Sequence, residues 1–191
     1  VTVADGQPVT DNGLRRSHSI GGLSEARAIF LGGFTGTSND QAAMYYNIPS
    51  YGTMAHAFVM FFDTELEAFR GYMKAMPHNC TLLVDTYDSY QGIENAITAA
   101  IESGRKVGDV FVSPLKSIRE DSGDLATKSA LWRQKLDAAG LKDTKIIVSN
   151  NLDEYKIDQI KRSGGVNIWA VGTRASTTDI DPGSGIIAPS Q

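Results

Sequence analysis

The hydrophobic positions of the chain alternate between short continuous runs and stripes of helical spacing. The continuous runs, some of them buried on both faces, predict strands over residues 50–54, 81–84, 107–112, 145–148 and 167–171. The helical stripes and their capping residues predict helices over 24–31, with Ser24 as N-cap, and over 39–46, 64–76, 125–139 and 153–162, with a further helix that carries Ile93, Ile97 and Ile101 and stops at Gly104. Strands and helices that alternate in this way indicate βα units and a parallel sheet.

The two ends of the chain lack this pattern. Residues 1–12 and 179–191 are rich in turn formers and are predicted to be irregular. Residues 13–178 then form one α/β domain, with too few βα units for a complete eight-unit barrel. We expect either an open sheet or an irregular, partial TIM-like barrel whose remaining units lie outside this chain.

Composition narrows the class of protein. The chain has 191 residues and a net charge of −4, with 41% hydrophobic residues, which is typical of a soluble globular domain. The negative charge argues against broad nucleic-acid binding, and no apolar run approaches the roughly 18 residues of a membrane span. A polar first stretch without a signal peptide and a lone Cys80 favour the cytoplasm. No Cys and His residues stand at zinc-ligand spacing.

Ligands of parallel α/β folds bind at the carboxyl ends of strands, so the residues that follow the predicted strands are the candidates for chemistry. These exits carry His56, Asp85-Thr86, Ser149-Asn150 and Gly172-Thr173, and the polar segment 119–124 precedes a helix. Asp121 and Asp124 flank Ser122-Gly123 and suit Mg²⁺ or a sugar diol. The alternative for these aspartates is simple capping of the 125–139 helix.

Other candidates also admit two interpretations. Gly164-Gly165 and Gly172-Thr173 suit a phosphate cradle, or a helix end and a tight turn. The Gly36–Asn39 segment suits an anion, or helix capping by Ser38 or Asn39. Arg15-Arg16 suits a carboxylate or phosphate, or a solvated surface pair. His56 suits a base, ligand or nucleophile, or a structural histidine.

Seven segments, taken together, carry a more specific signal. They are Gly13–Ser17, Gly32–Asn39, Ile48–His56, Leu83–Tyr87, Arg119–Leu125, Val148–Glu154 and Val171–Thr173. In this order and spacing they resemble the nicotinate phosphoribosyltransferase family, which has the type II phosphoribosyltransferase fold. The resemblance implies an irregular α/β barrel and a second domain built from chain segments absent here.

The resemblance also implies an activity and its partners. Enzymes of this family are both glycosyltransferases and ligases: they join nicotinate to phosphoribosyl pyrophosphate in NAD salvage, with Mg²⁺, and they couple the reaction to ATP hydrolysis through a phosphohistidine. A homodimer is expected. The roles carried over are phosphorylation for His56; catalysis and Mg²⁺ binding for Asp121, with Asp124 as second metal ligand; and substrate binding for Arg15, Arg16, Thr37, Ser38, Asn39, Arg119, Asp124, Ser149, Asn150, Gly164, Gly165, Gly172 and Thr173.

Three departures keep other functions open. Ala57 stands where the family often has serine, Pro114 interrupts the strand expected before Arg119, and segments of the family at both ends are missing. One alternative is an enzyme that uses nicotinamide or quinolinate, although Gly36–Asn39 favours nicotinate. Another is a non-catalytic module that binds phosphate or a nucleotide. By itself, this chain is expected to be an inactive fragment.

Overall fold

A computed structural model describes residues 1–108 and 110–177 of the chain. Its helices are α1 (Gly21–Leu31), α2 (Asp40–Tyr46), α3 (His56–Met60), α4 (Glu65–Ala75), α5 (Ser89–Ser103), α6 (Leu125–Ala138), α7 (Glu154–Lys161) and α8 (Thr173–Ser176). Its strands are β1 (Val9–Asp11), β2 (Gly36–Thr37), β3 (Cys80–Leu83), β4 (Arg105–Val107), β5 (Val110–Val112), β6 (Leu115–Glu120), β7 (Lys145–Val148) and β8 (Ile168–Val171). Two short 3₁₀ turns cover Thr2–Ala4 and Leu14–Arg16.

The chain divides into two compact units, and the first is built from three separate stretches. Unit 1 comprises Val1–Tyr51, Asn150–Ile157 and the described residues from Trp169 onward. In it, β1 pairs in parallel with both β2 and β8, and Asp11 is in register with Thr37 and with Val171. Val9 and Trp169 are buried in its core. β1 therefore joins the first and last of the stretches that form unit 1.

Unit 2 contains the larger hydrophobic core. It comprises Gly52–Ser149 and Asp158–Ile168. Its central strand, β6, pairs in parallel with β3 and β7, so that Ile118 is in register with Leu82 and Ile146. All three side chains are fully buried. Parallel strands alternating with helices in both units confirm the predicted α/β class.

The prediction for residues 107–112 is wrong. Gly108, with φ of 62°, lies between β4 and β5, and these strands pair antiparallel in a hairpin whose β4 residues are exposed. The parallel strand is β6, which begins one residue after Pro114. The proline does not interrupt the ladder because it precedes the first residue of the strand, where no ladder N–H is lost.

The N-terminal prediction also needs correction. Residues 1–12 are not irregular throughout, because Val9–Asp11 form β1 with partners on both sides. The run is too short to show a period of its own, and its pairing with distant strands makes it a strand. The predicted tail at 179–191 lies outside the described residues, as does residue 178. Within the described part of the chain, no helix combines the length and apolar character needed to cross a membrane.

Most predicted helices are confirmed, namely α2, α4, α5, α6 and α7. α1 begins at Gly21, so Ser24 lies inside the helix instead of capping it. The predicted strand at 50–54 is wrong, since only Ser50 forms an isolated bridge, to Thr37. The next regular element is α3, whose first residue is His56.

Candidate active site

His56 lies at the start of α3, with its side chain 37% exposed. Its Nδ1 is 3.3 Å from the Thr86 hydroxyl, on the segment that follows β3. Its Nε2 is 4.0 Å from the nearer carboxylate oxygen of Asp121. One ring nitrogen therefore has a polar partner, while the other faces a carboxylate from the exit of β6.

Arg119 and Asp121 lie at the end of β6 and extend the same group. The Arg119 guanidinium donates to the Thr53 hydroxyl at 2.5 Å and lies 3.9 Å from Asp121 Oδ2. The backbone N–H of Asp121 donates to Asp85 Oδ2 at 3.1 Å. We call His56, Asp85, Thr86, Arg119 and Asp121 the His56 cluster. It brings together three of the residues predicted from sequence.

Asp85 is a member of this cluster for which the sequence analysis named no role. Its Oδ1 is buried and accepts no hydrogen bond from any residue that the structure describes. A buried carboxylate oxygen without a donor is costly and is often satisfied by a ligand, an ion or water. Its place directly after the apolar run at 81–84 was the available signal.

Glu120 is a buried residue that the sequence does not single out. It is fully buried, and its carboxylate accepts from Lys128 Nζ at 2.9 Å, Trp132 Nε1 at 2.9 Å, Ser89 at 3.0 Å and Ser122 at 3.2 Å. The polar segment 119–124 indicates a loop, so the sequence predicts no particular role for a glutamate between Arg119 and Asp121. The sequence contains no sign that β6 extends to this residue.

Asp124 caps a helix. Its Oδ1 accepts from the backbone N–H groups of Ala126 and Thr127, and its Oδ2 accepts from the Thr127 hydroxyl at 2.6 Å. The hydrogen bond from the Thr127 hydroxyl lowers the pKa of the Asp124 carboxyl below its ordinary value. The capping alternative is thus confirmed, and the metal and substrate roles of Asp124 stay predictions.

The exit of β7 has an unusual backbone. Ser149 donates its N–H to the Glu120 carbonyl at 3.0 Å, and its hydroxyl is buried without a hydrogen-bond partner among the described residues. Asn150 and Asn151 follow with positive φ angles of 103° and 47°. Two consecutive non-glycine residues in this region are uncommon, and such strain is found most often at functional sites.

Unit 1 has its own polar centre at Asp11, which the sequence analysis did not single out. This side chain is 3% exposed and accepts from the Gly13 N–H at 2.8 Å and from the Thr37 hydroxyl at 2.7 Å. The Asp11 carbonyl accepts from the Ser38 N–H at 2.7 Å. Asp11 therefore connects two segments. One is the loop that leads to Arg15-Arg16, and the other is Gly36–Asn39.

The remaining unit 1 candidates lie around this centre in different settings. Asn39 caps α2 by accepting from the Ala42 N–H, as the capping alternative predicted. Arg15 and Arg16 are exposed on their 3₁₀ turn. Thr173 begins α8, and its hydroxyl lies 3.4 Å from the side-chain oxygen of Asn151. The substrate-binding roles of these residues stay predictions.

Gly164 and Gly165 occupy a different kind of position. They precede β8, whereas the other strand-exit candidates follow the carboxyl ends of strands. Gly165 has φ of 91°, and a Cβ there would lie 2.4 Å from the Ser129 carbonyl oxygen. Ser129 also donates to the Gly164 carbonyl at 3.2 Å. The structure thus packs this pair against α6 and does not bring it to the His56 cluster.

Comparison with known proteins agrees with the family resemblance of the seven sequence segments. The model of the nicotinate phosphoribosyltransferase (NAPRTase) family matches residues 8–172. A nicotinate phosphoribosyltransferase of Mycobacterium tuberculosis is 42% identical over 158 residues, which are 82% of this chain and 33% of that protein. One from Bacillus subtilis is 40% identical over 178 residues, 92% of this chain and 35% of that protein. This chain thus spans about a third of the length of these relatives.

Solved structures agree with the sequence relatives. A nicotinate-nucleotide pyrophosphorylase from Pyrococcus furiosus superposes with a TM-score of 0.78 and 26% identity, over 92% of this chain and 44% of that chain. Human nicotinic acid phosphoribosyltransferase superposes with a TM-score of 0.74 and 25% identity, over 90% of this chain and 45% of the human chain. The predicted fold, parallel βα units of the type II phosphoribosyltransferase kind, is confirmed.

Proposed function

Because this chain belongs to the nicotinate phosphoribosyltransferase family, we propose that the protein containing it joins nicotinate to phosphoribosyl pyrophosphate. The products are nicotinate mononucleotide, which serves NAD salvage, and pyrophosphate. The observation that carries the proposal is the His56 cluster, in which His56 and Arg119 lie 4.0 and 3.9 Å from the same oxygen of Asp121. The cluster gathers an imidazole from the start of α3 with a guanidinium and carboxylates from the ends of β3 and β6, and such groups suit this chemistry.

The transfer step makes opposite demands on the two sides of the bond that breaks. As the bond from ribose C1 to pyrophosphate lengthens, positive charge develops on the ribose and negative charge on the leaving group. The carboxylates of Asp121 and Asp85 stabilise the positive side, and the guanidinium of Arg119 stabilises the negative side. The pyridine nitrogen of nicotinate then forms the new bond to C1 with its lone pair.

The donor set of the cluster also fits Mg²⁺. No group of three or more His, Cys, Asp or Glu side chains in the described ranges is arranged to hold a metal by itself. Mg²⁺, however, is usually held by one or two carboxylates together with substrate phosphates. Asp121 supplies hard oxygens of this kind, and so does Asp85, whose Oδ1 accepts no hydrogen bond within residues 1–108 and 110–177. Asp124 is the further ligand predicted from sequence. When bound, Mg²⁺ neutralises charge on the diphosphate.

ATP coupling would use the same histidine. The step needs the tautomer whose proton is on Nδ1, and the Thr86 hydroxyl, 3.3 Å away, can accept a hydrogen bond from that proton. The Nε2 lone pair is then available. In the proposed step, Nε2 attacks the γ-phosphorus, the bond to the β–γ bridging oxygen breaks, and ADP departs with that electron pair. Asp121, at 4.0 Å, is placed to stabilise the positive charge of the substituted ring.

The substrate anions are assigned to unit 1. Arg15 and Arg16 carry exposed guanidinium groups, which suit the nicotinate carboxylate or a diphosphate. Ser38 would supply a hydroxyl to the base site. Thr37 and Asn39, which are buried, would hold this segment through hydrogen bonds to Asp11 and to the start of α2. Gly172 and Thr173 would hold the 5′-phosphate. The family resemblance of these segments supports the assignment.

The test is a product assay on the purified full-length protein. We expect formation of nicotinate mononucleotide and pyrophosphate from nicotinate and phosphoribosyl pyrophosphate, faster with ATP. His56→Ala should lower the associated ATP hydrolysis by about 100-fold or more, whereas His78→Ala, which changes an exposed histidine, should not.

The same assay separates the alternatives. Turnover with nicotinamide or quinolinate, but not with nicotinate, would identify that base as the substrate instead. Calorimetric binding of phosphoribosyl pyrophosphate without any turnover would indicate a non-catalytic module. Full ATP coupling in His56→Ala would remove the phosphohistidine from the mechanism while leaving the transferase proposal intact.

A further inference from the structure

The ion pair between Glu120 and Lys128 lies behind the His56 cluster, on the helix side of β6. We propose that Glu120, held by Lys128 and Trp132, is a positioning residue that fixes Arg119 and Asp121 for phosphoribosyl transfer. This inference rests on the proposed function and assigns the residue a role in the same site. Glu120 is fully buried and reaches the reaction only through its two neighbours in sequence.

The hydrogen bonds around this pair hold the Glu120 side chain on several sides. Lys128 Nζ donates to Glu120 at 2.9 Å, to the Ser89 hydroxyl at 2.7 Å and to the Ser122 carbonyl at 3.0 Å, which uses all three of its protons. Trp132 Nε1 donates to the second Glu120 oxygen at 2.9 Å. The carboxylate is thus fixed to the start of α5, to the loop after β6 and to two turns of α6.

The strand geometry transmits this constraint. Successive side chains of a strand point to opposite faces, so Arg119 and Asp121 share the face opposite to Glu120. The Glu120 carbonyl also accepts from the Ser149 N–H at 3.0 Å, and the next N–H, that of Asp121, donates to Asp85 at 3.1 Å. Fixing Glu120 therefore fixes the backbone from which both site residues project.

Stability alone is a weak explanation for this arrangement. Burying two charges costs several kcal/mol, and apolar residues of similar volume often stabilise a core as well or better. Lys128 is only 14% exposed and Glu120 is not exposed at all, so the cost applies to both. A buried, fully hydrogen-bonded pair does, however, define one geometry, which is what a site with 3.9–4.0 Å contacts needs.

The experiment compares three variants of the full-length protein. Glu120→Gln keeps the shape and removes the charge, but it leaves Lys128 buried without a counter-charge. The double variant Glu120→Gln/Lys128→Met removes both charges and thereby relieves that penalty. Glu94→Gln breaks the partly exposed ion pair with Lys135 between α5 and α6 and serves as the matched control. Each protein is measured for steady-state kinetics, melting temperature and the side-chain NMR resonances of Arg119.

The expected result separates positioning from folding. Glu120→Gln should lower kcat/KM for phosphoribosyl pyrophosphate about 10- to 100-fold and shift the Arg119 resonances, with the KM for nicotinate changed less than about twofold. The double variant should recover the melting temperature but not the kinetics. Recovery of both, or unchanged kinetics in Glu120→Gln, would overturn the proposal.

Failure of the proposed function remains distinguishable from failure of this inference. A wild-type protein that makes no nicotinate mononucleotide refutes the transferase activity. The Arg119 resonances do not depend on turnover: if they stay unmoved in both Glu120 variants, Glu120 does not position Arg119, and if they shift while Glu94→Gln leaves them unchanged, the positioning holds.

Discussion

The Asp11→Ala substitution tests whether unit 1 is held together at its polar centre. The carboxylate is 3% exposed and accepts two short hydrogen bonds, of 2.8 Å from the Gly13 N–H and 2.7 Å from the Thr37 hydroxyl. Each hydrogen bond to a charged group contributes about 1.5–3 kcal/mol, and the two donors would remain buried without a partner. Part of this loss is offset because a charge no longer has to be buried. We therefore expect the free energy of unfolding to fall by about 3 kcal/mol.

Urea-induced unfolding followed by circular dichroism measures this loss. With a slope of about 2 kcal/mol per molar urea, the midpoint should fall by roughly 1.5 M. Thr37→Val removes only one of the two hydrogen bonds and should cost about half as much. Asp40→Ala is the matched control, because Asp40 is exposed and accepts from the Ser50 hydroxyl at the surface. An Asp11→Ala protein as stable as Asp40→Ala, within about 0.5 kcal/mol, would refute the reasoning.

Three further predictions concern unit 2. Gly165→Ala should destabilise the chain by more than about 3 kcal/mol, because its Cβ would meet the Ser129 carbonyl. Gly164→Ala, also at positive φ but with open space around it, should cost only about 1–2 kcal/mol. Similar losses of stability for the two variants in thermal melts would contradict this. Burial raises the pKa of the Glu65 carboxyl, so its charge destabilises the fold as the pH rises above the ordinary pKa of 4.5. Glu65→Gln should therefore stabilise the folded chain at pH 7 and lose this advantage below pH 4.5. An equal gain in stability at both pH values, measured by urea titration, would argue against this. Burial also raises the pKa of the Cys80 thiol to about 12, so iodoacetamide at pH 8 should label it only after unfolding, as mass spectrometry of the native protein can check.

The sequence predicted helices better than it predicted strands, for a physical reason. α4 and α6 carry their own signals: Thr64 and Asp124 cap them, and apolar stripes face the core. β1 and β2 are three and two residues long and exist only because each pairs with a distant partner. No local pattern contains that information, so the sequence does not predict β1. It does predict a strand at 50–54, where only Ser50 forms a bridge.

The residues of the candidate site also differ in how well the sequence predicts them. His56 and Asp121 are candidates because of their positions after a predicted strand or before a predicted helix. The family resemblance then assigns roles to both and to Arg119, and the structure brings the three together. Asp11 and Glu120 were missed because their importance comes from buried hydrogen bonds to residues far along the chain. Sequence patterns indicate residue types that contact ligands more readily than buried acids that hold those residues in place.

The position of β1 has a consequence for synthesis on the ribosome. Thr10 of this strand pairs with Ala170, whose codon is read 160 residues later, so β1 leaves the ribosome well before its partner β8. Until then, one edge of β1 lacks its native partner, and closing so long a loop carries an entropic cost that later contacts must offset. Unit 2 does not depend on the first 51 residues for its own strand pairing. A nascent chain should therefore acquire protease-resistant structure around β6 before its N-terminal segment becomes protected.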